Sequence, residues 1–153
     1  MLRILALSAA LAGPTIDVPQ LFADQLPRLK ERSAVPILLP QRMPDRFDDH
    51  FPTGFGKPRR WGLQVGAVED CGGATACFIA SFSAREGGTP FGPRKVDLAR
   101  GRTGRFKPLT CGASCSPPSI EWRQRGATYR IQAKFRGRKV IQMASSAIRN
   151  GPR

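Results

Sequence analysis

Four cysteines are the residues best placed to do chemistry in this chain. They lie at Cys71, Cys77, Cys111 and Cys115, as C-x5-C and C-x3-C. Thiols at such spacings close disulfides, hold a metal or act as nucleophiles. Four cysteines allow three pairings, and sequence proximity favours Cys71–Cys77 with Cys111–Cys115. A disulfide brings its Cα atoms to about 5.5 Å, so each intervening loop must double back. Gly72-Gly73 and Gly112 supply the conformational freedom for that return. Four thiolates on one zinc ion are the competing arrangement, although C-x5-C is loose for a zinc knuckle. A reactive thiolate normally has a histidine or a helix N-terminus beside it. The chain holds a single histidine, His50, in a distant segment.

Other constellations are weaker. Asp45, Asp48, Asp49 and His50 could offer oxygen and nitrogen to a divalent cation. The segment lacks a loop-defining glycine, and Phe47 and Pro52 point to ordinary loop packing. Glu69-Asp70 reads as a solvated acid pair in a turn. Ser114 and Ser116 have no local base, so a Ser–His–Asp triad would have to recruit His50 from afar. Gly54-Phe-Gly56-Lys57 and Gly101-Arg-Thr-Gly104 match no phosphate-binding loop followed by a helix. No catalytic residue, metal site or cofactor is expected.

Charge is the stronger signal. The 153 residues carry a formal net charge of +14. Residues 13–84 hold eight Lys/Arg and eight Asp/Glu, whereas residues 85–153 hold sixteen and three. A field of that sign draws anions of any kind, including nucleic acid, lipid head groups and acidic glycans. The candidate anion-binding residues are Arg94, Arg100, Arg102, Arg105, Lys107, Arg130, Lys134 and Arg136. Phe106, Trp122, Tyr129 and Phe135 are interleaved with these cations, as on a single-strand nucleic-acid platform. Their alternation assigns them to the core.

The elements that must position these residues are short. Sixteen Gly and fourteen Pro argue for many turns and against a helical bundle. Residues 13–18 read as a tail, and Pro19 to Arg32 as a helix that Pro27 kinks or splits. Val35 to Leu39 reads as a buried strand ended by Pro40, and residues 40–60 as a long irregular connection. Strands are expected over Trp61–Val68, Ala76–Arg85, Arg94–Ala99 and Gly104–Leu109. Ser119–Arg123 and Ala127–Phe135 form a hairpin around Gln124-Arg125-Gly126. Its second strand alternates Tyr129, Ile131, Ala133, Phe135 with Arg130, Gln132, Lys134, Arg136, a half-buried strand with a cationic outer side. Arg138–Arg149 closes the chain as an amphipathic helix, terminated by Asn150-Gly151-Pro152. The fold class is α+β: a small antiparallel sheet, a C-terminal helix on one face, and two short-range disulfides.

The first twelve residues read as a signal peptide. Arg3 supplies a charge, Ile4 to Ala12 are apolar or small, and Ala10-Leu11-Ala12 fits cleavage before Gly13. The run is shorter than the roughly 20 residues a transmembrane helix needs. Export and disulfides support each other. The expected organisation is a leader over 1–12, an N-terminal tail and helix over 13–34, and one domain over 35–150.

Val35-Pro-Ile-Leu-Leu-Pro40, the Cys71/Cys77 loop, Cys111-Gly-Ala-Ser-Cys-Ser-Pro117 and Ile120-Glu-Trp-Arg-Gln-Arg-Gly126 with Tyr129-Arg-Ile131 resemble an uncharacterised family of exported bacterial proteins. The closing W-x3-G-x2-Y-x-I segment, followed by a helix carrying Met143-Ala-Ser-Ser146, resembles domains of unknown function in bacterial envelope and sporulation-associated proteins. The resemblance spans residues 35–148 and implies an envelope location and a small α+β domain. It implies no activity.

Three functions are compatible with these residues. The first is a non-enzymatic periplasmic or envelope module that binds an anionic lipid, glycan or acidic protein through a basic face. The second is a cytoplasmic nucleic-acid-binding protein whose cysteines are reduced or zinc-bound, with steeply salt-dependent binding. The third is a secreted enzyme with an unrecognised site.

Overall fold

A computed structural model describes residues 13–153. The expected signal peptide, residues 1–12, lies outside the described residues. Strand β1 (Thr15–Asp17) leads into helix α1 (Val18–Leu21). The Asp17 carboxylate caps that helix, accepting the Gln20 N–H at 2.9 Å. This backbone hydrogen bond holds the Asp17 carboxyl below its ordinary value. Helix α2 (Leu26–Arg32) follows, with Pro27 in its first turn. Proline cannot donate to the preceding turn, so the helical segment divides in two at Phe22–Gln25.

Strand β2 (Arg42–Pro44) pairs with β1 as a separate ribbon. The remaining elements are β3 (Phe51–Lys57), β4 (Arg60–Gly66), β5 (Phe78–Glu86), β6 (Arg94–Asp97), a 3-10 turn over Ala99–Gly101, and β7 (Thr103–Lys107). A small ribbon, β8 (Thr110–Cys111) with β9 (Cys115–Ser116), precedes β10 (Ser119–Gln124), β11 (Ala127–Ala133) and helix α3 (Gly137–Asn150). Seven strands form one antiparallel sheet in the order β3-β4-β5-β11-β10-β7-β6. The architecture is α+β, as the sequence predicts.

Cysteine pairing joins Cys71 to Cys77 and Cys111 to Cys115. The four-thiolate zinc arrangement is thereby replaced by two disulfides. At the β10–β11 turn, Arg125 and Gly126 both have positive φ, 52° and 75°. A two-residue loop of this kind matches the right-handed twist of the flanking strands. Glycine therefore occupies the second turn position.

Thr15–Asp17 and Arg42–Pro44, expected as tail and irregular connection, pair as the β1–β2 ribbon, and two further segments differ from expectation. Val35–Leu39 is buried but joins no ladder. Pro36 has no N–H to contribute. Its carbonyl instead accepts side-chain donors, the Tyr129 hydroxyl at 2.8 Å and Trp61 Nε1 at 3.3 Å. Residues 51–57, read as part of a loop, form the edge strand β3. Its glycines hide the strand pattern because they admit a helix. A Cβ on Gly56 would lie 3.0 Å from the Arg32 Cβ and 3.4 Å from the Leu29 Cα of α2. Pro52 is tolerated because β3 is an edge.

One face of the sheet is covered. Trp61, Leu63, Val65, Ala80, Phe82, Ile120, Trp122, Tyr129 and Ile131 turn towards a layer made by α1, α2, residues 35–40 and α3. Phe22 of the segment after α1 meets Phe82 edge-on at 5.9 Å between ring centroids, and Trp122 stacks on Tyr129 at 5.5 Å. Residues 13–34 thus feed Val18, Phe22 and Leu29 into the same core as the sheet. On α3, Val140, Met143, Ala144, Ala147 and Ile148 are buried at helical spacing.

Candidate anion-binding face

Side chains alternate along a strand, and directly paired residues share a face. The register therefore defines the side of the sheet turned away from the helices. Three cross-strand rows occupy it. One runs Lys57, Arg60, Arg85, Thr128, Arg123 and continues through Thr103 to Asp97. The next runs Phe55, Gly62, Ser83, Arg130, Glu121, Arg105, Lys95. The third runs Thr53, Gln64, Ser81, Gln132, Ser119, Lys107. Eight cations occupy these rows against two carboxylates, Glu121 and Asp97.

The charge is placed at a cost. Arg60 stands directly opposite both Lys57 and Arg85, and Lys95 directly opposite Arg105. Like charges in direct cross-strand pairs are destabilising. Relief is partial. Glu121 is nearly buried and binds the Arg85 guanidinium at 3.0 Å. Outside the rows, Arg59 pairs with Glu86 at 2.8 Å, both well exposed.

Residues 87–93 form a strap that joins β5 to the far edge of the sheet. Its carbonyls take the side chains beneath it. Thr128 Oγ1 donates to the Gly87 carbonyl at 2.7 Å, Arg123 donates to Gly88, and Arg85 donates to Thr89 at 3.2 Å. Gly92 lies against the Arg105–Phe106 backbone of β7. Arg85 and Arg123 are thus partly committed to the strap, whereas Lys57, Arg60, Lys95 and Arg105 remain exposed.

The eight cations expected from the sequence divide into groups. Arg105, Lys107 and Arg130 lie on the open face. Arg94 lies on the opposite side, paired with Phe106, with its guanidinium 5.0 Å from that ring centroid. Arg136 precedes α3 and lines a groove with Arg94. Arg100 donates to the Arg149 carbonyl at the end of α3, 3.1 Å, and Arg102 to the Arg123 carbonyl, 3.4 Å. The Lys134 ammonium is held by the carbonyls of Thr75 and Ala76 in the disulfide loop. Lys57, Arg60, Arg85, Lys95 and Arg123 belong to the face and were not among those eight. Their signal was the alternation itself: an inward Trp61, Leu63 and Val65 sets Arg60 outward, and an inward Val96 does the same for Lys95.

The aromatic residues considered as a stacking platform, Phe106, Trp122, Tyr129 and Phe135, are buried. The strands of the open face carry two aromatic side chains, Phe51 and Phe55, both exposed on the edge strand β3, with Arg60 5.8 Å from the Phe55 ring centroid. Elsewhere, His50 Nε2 lies 3.6 Å from the Asp45 carboxylate. No group of three or more His, Cys, Asp or Glu able to hold a metal occurs among the described residues. Ser114 and Ser116 are exposed around the β8–β9 ribbon.

Compared with known proteins, the chain matches no family model, no curated protein and no solved structure.

Proposed function

We propose that the protein is an exported, non-enzymatic module of the bacterial envelope or periplasm that binds an anionic partner through the open face of its sheet. One observation carries this reading: repulsive cross-strand pairs, Arg60 with Lys57 and Lys95 with Arg105, are maintained between exposed side chains. An extended anion removes that repulsion when it binds. Two disulfides fit an oxidising compartment. No helix among the described residues is long and apolar enough to cross a membrane.

A partner recognised by charge rather than by stacked bases fits this face best, because its strand aromatics, Phe51 and Phe55, are confined to the edge strand β3 while its cations spread across the sheet. An acidic envelope polymer or lipid surface meets that description.

The test is sedimentation with isolated bacterial envelopes at low salt, comparing the native chain with an Arg60→Glu, Arg105→Glu, Arg130→Glu variant. Each reversal acts at an exposed or half-exposed side chain, so the fold is expected to persist. Binding should fall by about tenfold or more, a loss of roughly 1.4 kcal/mol. Unchanged binding would reduce the face to a solvated surface. Stronger retention on single-stranded oligonucleotides than on envelopes would favour the nucleic-acid reading instead.

A further inference from the structure

A second cationic site lies on the other side of the molecule, at the start of α3. A groove of about 610 Å³ opens between that helix end, the ends of β7 and β10, and the β8–β9 ribbon. Volumes of a few hundred cubic ångströms are typical of small-molecule sites. Its walls are Phe106, Pro108, Leu109, Pro117, Pro118 and Phe135, with the Cys111–Cys115 disulfide at one side. None of these side chains offers a conventional hydrogen bond. Leu109 is 61% exposed at the mouth, an apolar side chain left in water by the chain's own packing.

Arg94, Arg136 and Arg138 surround this apolar space, and no carboxylate lines it. Arg94 lies over the Phe106 ring, and the charges of Arg136 and Arg138 are uncommitted. Among the described residues, none of the three makes a salt bridge, and none uses its side chain in a hydrogen bond. Arg59, Arg85, Arg100, Arg102 and Arg123 all have such partners. The first turn of α3 carries no acidic residue and no side-chain cap, so nothing among the described residues neutralises this corner.

We propose that this groove binds a long-chain fatty acid, with its carboxylate held by Arg136 and Arg138 and its acyl chain along the Phe106–Phe135 wall. Charge complementarity selects the anionic head, since guanidinium groups grip carboxylates through paired N–H donors. The wall selects the rest of the ligand. A glycan or glycerol backbone would bury hydroxyl groups without partners, which is unfavourable. An unbranched hydrocarbon tail has no such requirement. The site is separate from the open sheet face and does not depend on the function proposed for it.

Isothermal calorimetry with dodecanoate, below its micelle concentration, tests the assignment on the oxidised full chain. One saturable site is expected. Arg136→Glu with Arg138→Glu should weaken it by about tenfold or more, because two charge-assisted contacts become repulsive. Leu109→Glu should do the same by placing a carboxylate at the mouth; its exposure makes misfolding a poor explanation, and circular dichroism with the thermal midpoint verifies this. Acetate and dodecyltrimethylammonium should bind far more weakly, and the sheet-face triple variant should bind dodecanoate normally. Absence of saturable binding, equal binding by the groove variants, or equal binding of acetate or the cationic amphiphile would overturn the proposal. So would a concentration-dependent dimer that Leu109→Glu abolishes and that excludes dodecanoate, since a second copy would then be the occupant.

Discussion

The Tyr129 hydroxyl donates to the Pro36 carbonyl at 2.8 Å, and Trp61 Nε1 reaches the same carbonyl at 3.3 Å. Two side chains from the sheet thereby secure a backbone segment that has no ladder of its own. Burial raises the Tyr129 pKa to about 12 from 10.0. The group binds its proton more tightly in the folded chain than in the unfolded one. Its contribution to stability is therefore complete below pH 10 and is lost as pH rises towards about 12. Tyr129→Phe should lower stability at neutral pH by about 1 kcal/mol, because the Pro36 carbonyl loses its better donor. It should also reduce the alkaline loss. Urea unfolding of both proteins at neutral pH and in the alkaline window checks both effects; an identical alkaline slope would show that Tyr129 does not set it.

At the scale of elements, the strap over residues 87–93 has the clearest mechanical role. It joins β5 to the far edge strand, and its carbonyls occupy Arg85, Arg123 and Thr128 on the way. Gly92 has φ of +156°, and a Cβ there would come within 2.9 Å of the Arg105 carbonyl carbon. That distance cannot be relaxed by rotating a side chain, since the neighbour is backbone. Gly92→Ala should therefore lift the strap or destabilise the fold by about 1–3 kcal/mol. Limited proteolysis should then cut within residues 87–93 before the rest of the domain. A native cleavage rate and native stability would mean that the strap accommodates the methyl group and does not rest on β7.

At the scale of the whole molecule, charge is distributed over two sites on opposite sides of one sheet. The open face holds repulsive pairs and the α3 corner holds uncommitted arginines, so added salt should stabilise the fold. The Debye length falls from about 30 Å at 0.01 M to about 10 Å at 0.1 M, which screens exposed charges a few strands apart. The thermal midpoint should rise over that range, and the rise should shrink in the sheet-face triple variant. A midpoint that falls with salt would show that attractive pairs such as Arg85–Glu121 dominate the net electrostatics.

How much of this was legible in the sequence depends on the period of each pattern. Alternation over Tyr129–Arg136 and helical spacing over Val140–Ile148 are local signals, and both elements form where those signals fall. Cysteine pairing was legible too, because loops of this length with glycines close on themselves. The α+β class follows from these short-range patterns. The position of β11 in the middle of the sheet, the strap across its outer side and the conversion of Val35–Leu39 into a buried but unpaired segment are long-range outcomes. They depend on which strands meet, and sequence spacing does not encode that directly. The basic residues illustrate the division. Composition established that the second half of the chain is cationic. Only the strand register decided that Lys57 and Arg60, from the first half, join Arg105 and Arg130 on one face. Tertiary packing likewise turned Arg94 and Arg136 to the groove, and spent Arg100, Arg102 and Lys134 on carbonyls at a helix end, a strand and the disulfide loop, because only the fold brings those acceptors within reach.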